Sequence, residues 1–360
     1  MRQLYVYTGN PGPGMLDLLR VSLRHFNEVD LLFFDRGVQD ILPDFKGVNS
    51  VTRHRVGYNG IGIKRFFYTP FLMFLIFRKV IRFKPDLVNI HTLDTLFIVS
   101  LIRIFVKFRI IYQIRDLHFL QYSDCISCKL IRVLERVCLT FVDNLLVSSP
   151  GFKRFYEQHY NYNGMVTILE NIPREEIVEL AHDKVTSRNK QKFVIGYIGI
   201  VRYIDSLKAL VHACNLSNNR DIELYIAGGG DKEFLKDLNP DISVTCFDAF
   251  VYIDSIAKHY SSVDVIYAVY DHLDFNCQVA MPNKFYEAIL FKKPIIVSSG
   301  TYLAERVEEL GIGMVVNIET DFSNIFSDLK WVQIAINNLC KINFSDYVNK
   351  YESQLLKSIT

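Results

Sequence analysis

Apolar positions along the 360-residue chain recur in two periods, and the two alternate from one end to the other. Short apolar runs at 4–8, 29–34, 85–91, 109–114, 193–197, 222–227 and 295–297 have the length and bounding residues of buried strands. Between them, residues 15–26, 64–83, 93–105, 151–159, 206–214 and 254–261 carry apolar side chains at helical spacing. Residues 135–147 read as helix then strand, and 331–340 and 346–359 as terminal helices. Strand-helix alternation of this kind predicts α/β architecture with parallel sheets. The polar stretch 174–192 reads as a linker and puts a domain boundary near residue 185.

One block organises the C-terminal half: MPNKFYEAILFKKPIIVSSG, residues 281–300. Pro282 suits a helix first turn, since its missing N–H has no partner there anyway. Phe285, Ala288 and Ile289 then repeat at helical spacing, with Tyr286 and Leu290 widening the apolar face. Lys292 and Lys293 charge the last turn and Pro294 stops the helix. A short buried strand at 295–297 leads to a loop that opens a second helix after Thr301. Two helix starts beside a strand's C-terminal end present unpaired N–H groups and positive dipole ends, a geometry suited to anions. Glu287, one turn into the first helix, points its carboxylate back toward that crevice; an ordinary α/β unit with a surface glutamate fits the same pattern. At the N-terminus a strand again runs into a glycine loop, residues 9–14, and a helix. The spacing is not G-x-G-x-x-G and no acidic residue follows at the dinucleotide position, which argues against a nicotinamide site.

These motifs resemble family 4 glycosyltransferases of GT-B fold, more narrowly a bacterial surface-polysaccharide branch whose donor-site helix begins P-N-K-x-x-E. Here those residues are Pro282, Asn283, Lys284 and Glu287, followed by GIGMVV at 311–316. Further matches are K-P-D-x-h-x-x-H ending in His91, the E-x-x-x-x-x-x-A-D-like run from Glu135 to Ser148-Ser149, and VTILENIP at 166–173. The resemblance implies two Rossmann-like domains facing each other across a cleft: 1–185 on the acceptor side, 186–330 holding the nucleotide sugar, and terminal helices at 331–360, the last crossing back to the first domain.

Site roles follow by the same resemblance. Gly199, Arg202, Lys208 and Gly228 line the donor diphosphate, with Arg202 and Lys208 also meeting the charge of the leaving group; Ile200 stands where the commonest pattern has arginine. Phe250 and Val251 meet the base. Asn283, Lys284, Glu287 and Thr301 complete the donor site, Glu287 accepting from ribose hydroxyls and Lys284 reaching a phosphate. Gly12, Gly14 and His91 fall on the acceptor side. Many relatives carry His-Asp where this chain has Arg115-Asp116, so Arg115, Asp116 or His118 faces the transferred sugar. The widespread E-x7-E motif lacks its first glutamate, since Val279 occupies the place; Asn276 and Gln278 are the available substitutes.

Charge refines the picture. The net charge is only +2, yet residues 1–150 hold 20 Lys+Arg against 12 Asp+Glu, and residues 53–109 hold 11 basic against 2 acidic residues. A basic, aromatic-rich region on one half suits an anionic membrane surface, while the acidic second half argues against a nucleic-acid binder. The apolar run 66–77 is too short to span a bilayer but long enough to lie in its interface. Seven scattered cysteines, including the C-x-x-C of Cys125 and Cys128, read as thiols of a reducing compartment.

The expected activity is retaining transfer of a sugar from a nucleotide diphosphate sugar, the co-substrate, to a hydroxyl of a glycan or lipid-linked glycan. No D-x-D-type motif stands in a suitable place, so neither a metal nor another cofactor is expected. The expected location is cytoplasmic, peripheral at the inner face of the plasma membrane. A sugar-nucleotide epimerase or hydrolase of the same fold, and a non-catalytic membrane-associated partner, remain as alternatives.

Overall fold

The computed structural model describes residues 1–9, 13–35, 45–55, 63–183, 192–217, 221–318, 326 and 328–359. By its contacts the chain divides into two units, Met1–Glu170 with Lys350–Thr360, and Asn171–Asn349. Residue 185, the expected boundary, lies outside the described residues.

The first unit runs β1 (Arg2–Thr8), α1 (Pro13–His25), β2 (Glu28–Asp35), β3 (Ser50–Arg55), α2 (Ile63–Phe83), β4 (Leu87–Ile90), α3 (Leu93–Arg103) and β5 (Arg109–Ile114). It continues through α4 (Phe119–Tyr122), α5 (Ile126–Leu139), β6 (Asn144–Val147), α6 (Pro150–Tyr160) and β7 (Val166–Ile168). Its seven strands are all parallel, in the order β3-β2-β1-β4-β5-β6-β7. Leu4, Val6, Leu32 and Phe34 are among the residues buried completely or nearly so, as expected of strands covered on both faces.

The second unit opens with α7 (Glu175–Asp183), β8 (Phe193–Ile198), α8 (Ile204–Leu216), β9 (Ile222–Ala227), β10 (Ser243–Phe247), α9 (Tyr252–Ser261) and β11 (Val265–Ala268). Then come α10 (Phe275–Val279), α11 (Asn283–Leu290), β12 (Ile295–Ser298), α12 (Tyr302–Leu310), β13 (Gly313–Val316) and α13 (Lys330–Lys341). The six strands are parallel in the order β10-β9-β8-β11-β12-β13. A last helix, α14 (Phe344–Ile359), contributes Phe344 to the second unit's core, and Leu355 and Ile359 to the first unit's.

Two expectations and one alternative reading are corrected. Residues 175–183 form a helix, not a linker: Ile177 and Ala181 stand one turn apart and enter the second unit's core, while Glu175 and Glu176 favour the helix N-terminus by their charge. Cys125 and Cys128 are joined in a disulfide across the first turn of α5, not left as thiols. Glu287 is not a surface residue but is 3% exposed.

Candidate functional site

In each sheet the strand order reverses beside the first strand of the unit, between β1 and β4 and between β8 and β11. Connections leave in opposite directions at such a point, so a crevice opens at the strands' C-terminal ends. Several of the predicted first-unit residues line the cavity at its reversal, and Gly199, Gly228 and Lys284 meet at the strand exits of the second unit.

In the first unit a cavity of about 650 Å³ lies at the β1/β4 reversal, lined by residues that include Tyr7, His91, Asp94, Arg115, Asp116 and His118. His91 follows β4; its ring stacks on Tyr7 at 3.8 Å, and Nε2 lies 2.8 Å from the Thr8 carbonyl. A carbonyl only accepts, so Nε2 carries the proton of that bond. Arg115, just past β5, is half-buried, and a Cβ on Gly14 would collide with its guanidinium. Glycine at that position is what lets Arg115 lie against the start of α1. The structure thus brings Gly14, His91, Arg115, Asp116 and His118 together; Gly12 lies outside the described residues.

His118, rather than Asp116, caps the next segment: its Nδ1 accepts from Leu120 N at 3.2 Å, and its own N–H donates to Gln121 Oε1 at 2.6 Å. Gln121 in turn donates to Glu135 at 2.7 Å. The phenols of Tyr156 and Tyr160 donate to the same carboxylate, at 2.9 and 2.6 Å. Glu135 is fully buried, and the loss of water raises its pKa to about 7. This chain of bonds ties the cavity wall at His118 to α5 and α6, a role for Glu135 that its place in a sequence motif does not reveal.

In the second unit, Gly199 directly follows β8 and Gly228 directly follows β9, both in the positive-φ region at +133° and +149°. A Cβ on Gly228 would fall on the Gly199 carbonyl, so the two strand exits touch backbone to backbone. Across this glycine shelf lies Lys284, in the first turn of α11, its Cε 3.5 Å from where a Cβ on Gly199 would stand. Its Nζ sits 4.1 Å from the ring centre of Tyr197 and 5.3 Å from that of Tyr270. Lys284 is 9% exposed, and burial lowers its pKa to about 8 against the opposing pull of Glu287.

Glu287 receives hydrogen bonds on both oxygens, from Tyr252 on Oε1 and from Tyr260 on Oε2, the latter at 2.6 Å. Burial raises its pKa despite these bonds. Phe250 and Val251 directly precede Tyr252; Phe250 packs on His259 at 4.3 Å, and Val251 is 65% exposed at the N-cap of α9. Asn283 is exposed at the start of α11. Arg202 is exposed and acts electrostatically on Tyr197 and Tyr203. Lys208 is exposed on α8.

Thr301 is spent on capping α12, its hydroxyl donating to Ser298 O and accepting from Ala304 N, each at 3.0 Å. Gln278 donates to the His272 carbonyl at 2.8 Å. Tyrosines 197, 252, 260 and 270, none of them foreseen, frame Lys284 and Glu287. Tyr197 stands at the C-terminal end of β8, the end where such sheets take ligands, but nothing local marks the other three.

Two α/β units, each a parallel sheet whose strand order reverses beside its first strand, define a GT-B-like fold. Residues 192–328, all within the second unit, match the family model described as glycosyl transferases group 1. No curated protein matches the chain in sequence. Among solved structures the chain is similar to sucrose-phosphate synthase from Thermosynechococcus elongatus, at 13% identity over 99% of this chain and 96% of that one, with a TM-score of 0.71. It is also similar to Anabaena HepE in complex with UDP, at 14% identity over 100% and 99% of the two chains, with a TM-score of 0.68. A third, the apo lipopolysaccharide outer core galactosyltransferase WaaB, has 14% identity over 98% and 100%, and a TM-score of 0.63. At such identities the likeness is one of fold.

Proposed function

We propose that the protein transfers a sugar, with retention of anomeric configuration, from a nucleotide diphosphate sugar to a hydroxyl of a lipid-linked glycan in surface-polysaccharide synthesis. The observation that carries the donor half is Lys284, a buried cation beside the Gly199–Gly228 shelf at the reversal of the second sheet. A diphosphate on that shelf meets glycine backbone at close range, the ammonium of Lys284, and Arg202 at the mouth. As the sugar leaves, negative charge grows on the diphosphate, and a preorganised cation in a dry site stabilises it more than water does. In this reading the cationic side chains do the work that a divalent metal does in other transferases. Glu287, held by two phenols, orients that helix face and keeps acceptor capacity for ribose hydroxyls.

The first unit supplies the acceptor groups, with His91, Arg115, Asp116 and His118 around one cavity. A hydroxyl attacking on the face the leaving group departs from needs no carboxylate nucleophile. We place the anionic membrane against the basic-aromatic region 53–109. Phe71, Phe74, Phe77 and Ile81 of α2 are exposed there, beside exposed Arg78 and Arg82. Arg53, Lys79 and Arg103 pair with Asp35, Asp30 and Asp143, which lie outside that stretch, so the effective charge is smaller than the sequence count. Among the described residues no helix is long and apolar enough to cross a membrane.

A thermal-shift screen against UDP-, GDP- and dTDP-sugars tests the donor half. At a hundredfold excess over Kd a true donor contributes about 2.7 kcal/mol, a rise of roughly 5–10 °C for a unit of this size. Failure of all three classes to move the melting point would remove the proposal.

A further inference from the structure

Helix α5 is buried on one side only. Cys128, Glu135 and Leu139 face inward, whereas Ile126, Leu130, Val133, Leu134 and Val137 are 45–89% exposed. Their spacing draws a single apolar stripe along the helix. Leu101 at the end of α3, which packs against α5, and Ile104 and Phe105 in the turn just after it are exposed as well, the last 76%. Soluble surfaces scatter such residues singly; eight on two adjoining elements and the turn after one of them form a patch that calls for a cover. Its fringe is cationic: Lys107, Lys129 and Arg136 are exposed, and the nearby acid Asp124 is paired with Arg132 at 3.5 Å. All of these residues but Leu101, Ile104, Phe105 and Lys107 fall outside the 53–109 region.

We propose that this α3–α5 face is a bilayer-docking surface for anionic lipid. An apolar stripe with a basic fringe matches the interface of such a bilayer, apolar below and negative at the headgroups. A second copy of the chain would bring two cationic fringes together, which opposes self-association. The stripe also adjoins the first unit's cavity. Ile131, on the flank of α5, lines that cavity together with Leu120 and Gln121 of α4. A lipid-borne acceptor lying against the stripe is then separated from His91 and Arg115 by little more than one helix diameter, about 10 Å. This last step rests on reading the first unit as the acceptor side; the docking face itself does not.

Vesicle flotation of the full chain provides the test, using phosphatidylcholine with and without phosphatidylglycerol. A Leu130→Ser/Val133→Ser/Val137→Ser variant is compared with wild type and with Ile334→Ser, an exposed site in the second unit. The expected result is a loss of about tenfold or more in affinity for the anionic vesicles in the triple variant alone. Its melting point and nucleotide-sugar shift should stay unchanged. In Leu134→Trp, tryptophan emission should shift to the blue on vesicles, which supports the face even if the triple variant folds poorly. Wild-type affinity in the triple variant overturns the proposal. So does equal binding of wild type to neutral vesicles, or a lipid-free dimer that the triple variant abolishes. Stripe-dependent binding in a protein that no nucleotide sugar stabilises would keep the docking face and discard the transferase reading.

Discussion

Lys284 is a cation kept largely from water, with two aromatic faces and one distant carboxylate as company. Its pKa of about 8 against 10.5 in the unfolded chain means that the unfolded state binds the proton more tightly between those values. Stability therefore rises with pH across that window, and below it the native state carries the cost of a buried charge. Lys284→Met should raise the melting temperature at pH 7 and erase that slope, while weakening nucleotide-sugar binding roughly 10- to 100-fold, as expected for a lost charge-assisted contact. Isothermal titration at pH 7 alongside melting curves from pH 7 to 10 separates the two effects; weaker stability with unchanged donor affinity would make Lys284 merely structural. Glu135 has the opposite sign. Its folded pKa of about 7 exceeds the ordinary 4.5, so the native state binds more protons between them and stability falls as pH rises through that interval. Glu135→Gln should flatten this fall. Glu135→Ala, which leaves Gln121, Tyr156 and Tyr160 without their acceptor, should cost about 2–4 kcal/mol by urea denaturation.

At the level of elements, the glycine shelf explains why two strands end where they do. Gly228 (φ +149°) and Gly300 (φ +73°) both occupy backbone regions that L side chains avoid, but a Cβ at Gly228 meets the Gly199 carbonyl, whereas one at Gly300 meets nothing within 4 Å. Gly300→Ala should then cost only the torsional strain, about 1–2 kcal/mol. Gly228→Ala should cost more than about 3 kcal/mol, because backbone has to move, and should abolish the donor-induced thermal shift. Melting curves with and without nucleotide sugar compare the two directly. The central strands of both sheets were legible because burial on both faces leaves continuous apolar runs such as LYVY at 4–7 and IIV at 295–297. The edge strands β3 and β10 were not. β3 reads SVTRHR and alternates in exposure, and β10 is mostly exposed, so neither shows such a run. The helix α7 hid in a polar stretch because only one of its faces reaches the core. The glycines at the strand exits, Gly199 and Gly228, stood out through the family resemblance, and the structure places them against each other. The tyrosines around Lys284 were not, since they arrive from separate elements that only the fold assembles.

The molecule as a whole is two cores threaded by one chain that returns. The first unit is discontinuous: its last piece, Lys350–Thr360, comes after the entire second unit. That piece is bound by more than apolar contact. Leu355 and Ile359 sit in the core beside Leu18 and Phe33; Tyr351 donates to Asp17 at 3.2 Å, and Asn144 Nδ2 donates to the Ser358 carbonyl at 3.3 Å. The second unit has its own core around Phe285, Ile289 and Leu303, and its Gly199–Lys284 shelf draws on none of residues 350–360. Leu355→Ala with Ile359→Ala should thus destabilise the first unit by about 4–8 kcal/mol, the sum of two large-to-small core changes whose sites are a helical turn apart and so only partly additive. Nucleotide-sugar affinity, a property assigned to the second unit, should be untouched. Hydrogen exchange reads both at once. In the double variant, amides of β1, β2 and β5 should lose protection, while those of β8, β9 and α11 keep it and still gain protection on adding nucleotide sugar. Loss of that ligand-induced protection in the second unit would mean that the donor shelf depends on the returning helix, and the division of labour between the units would have to be redrawn.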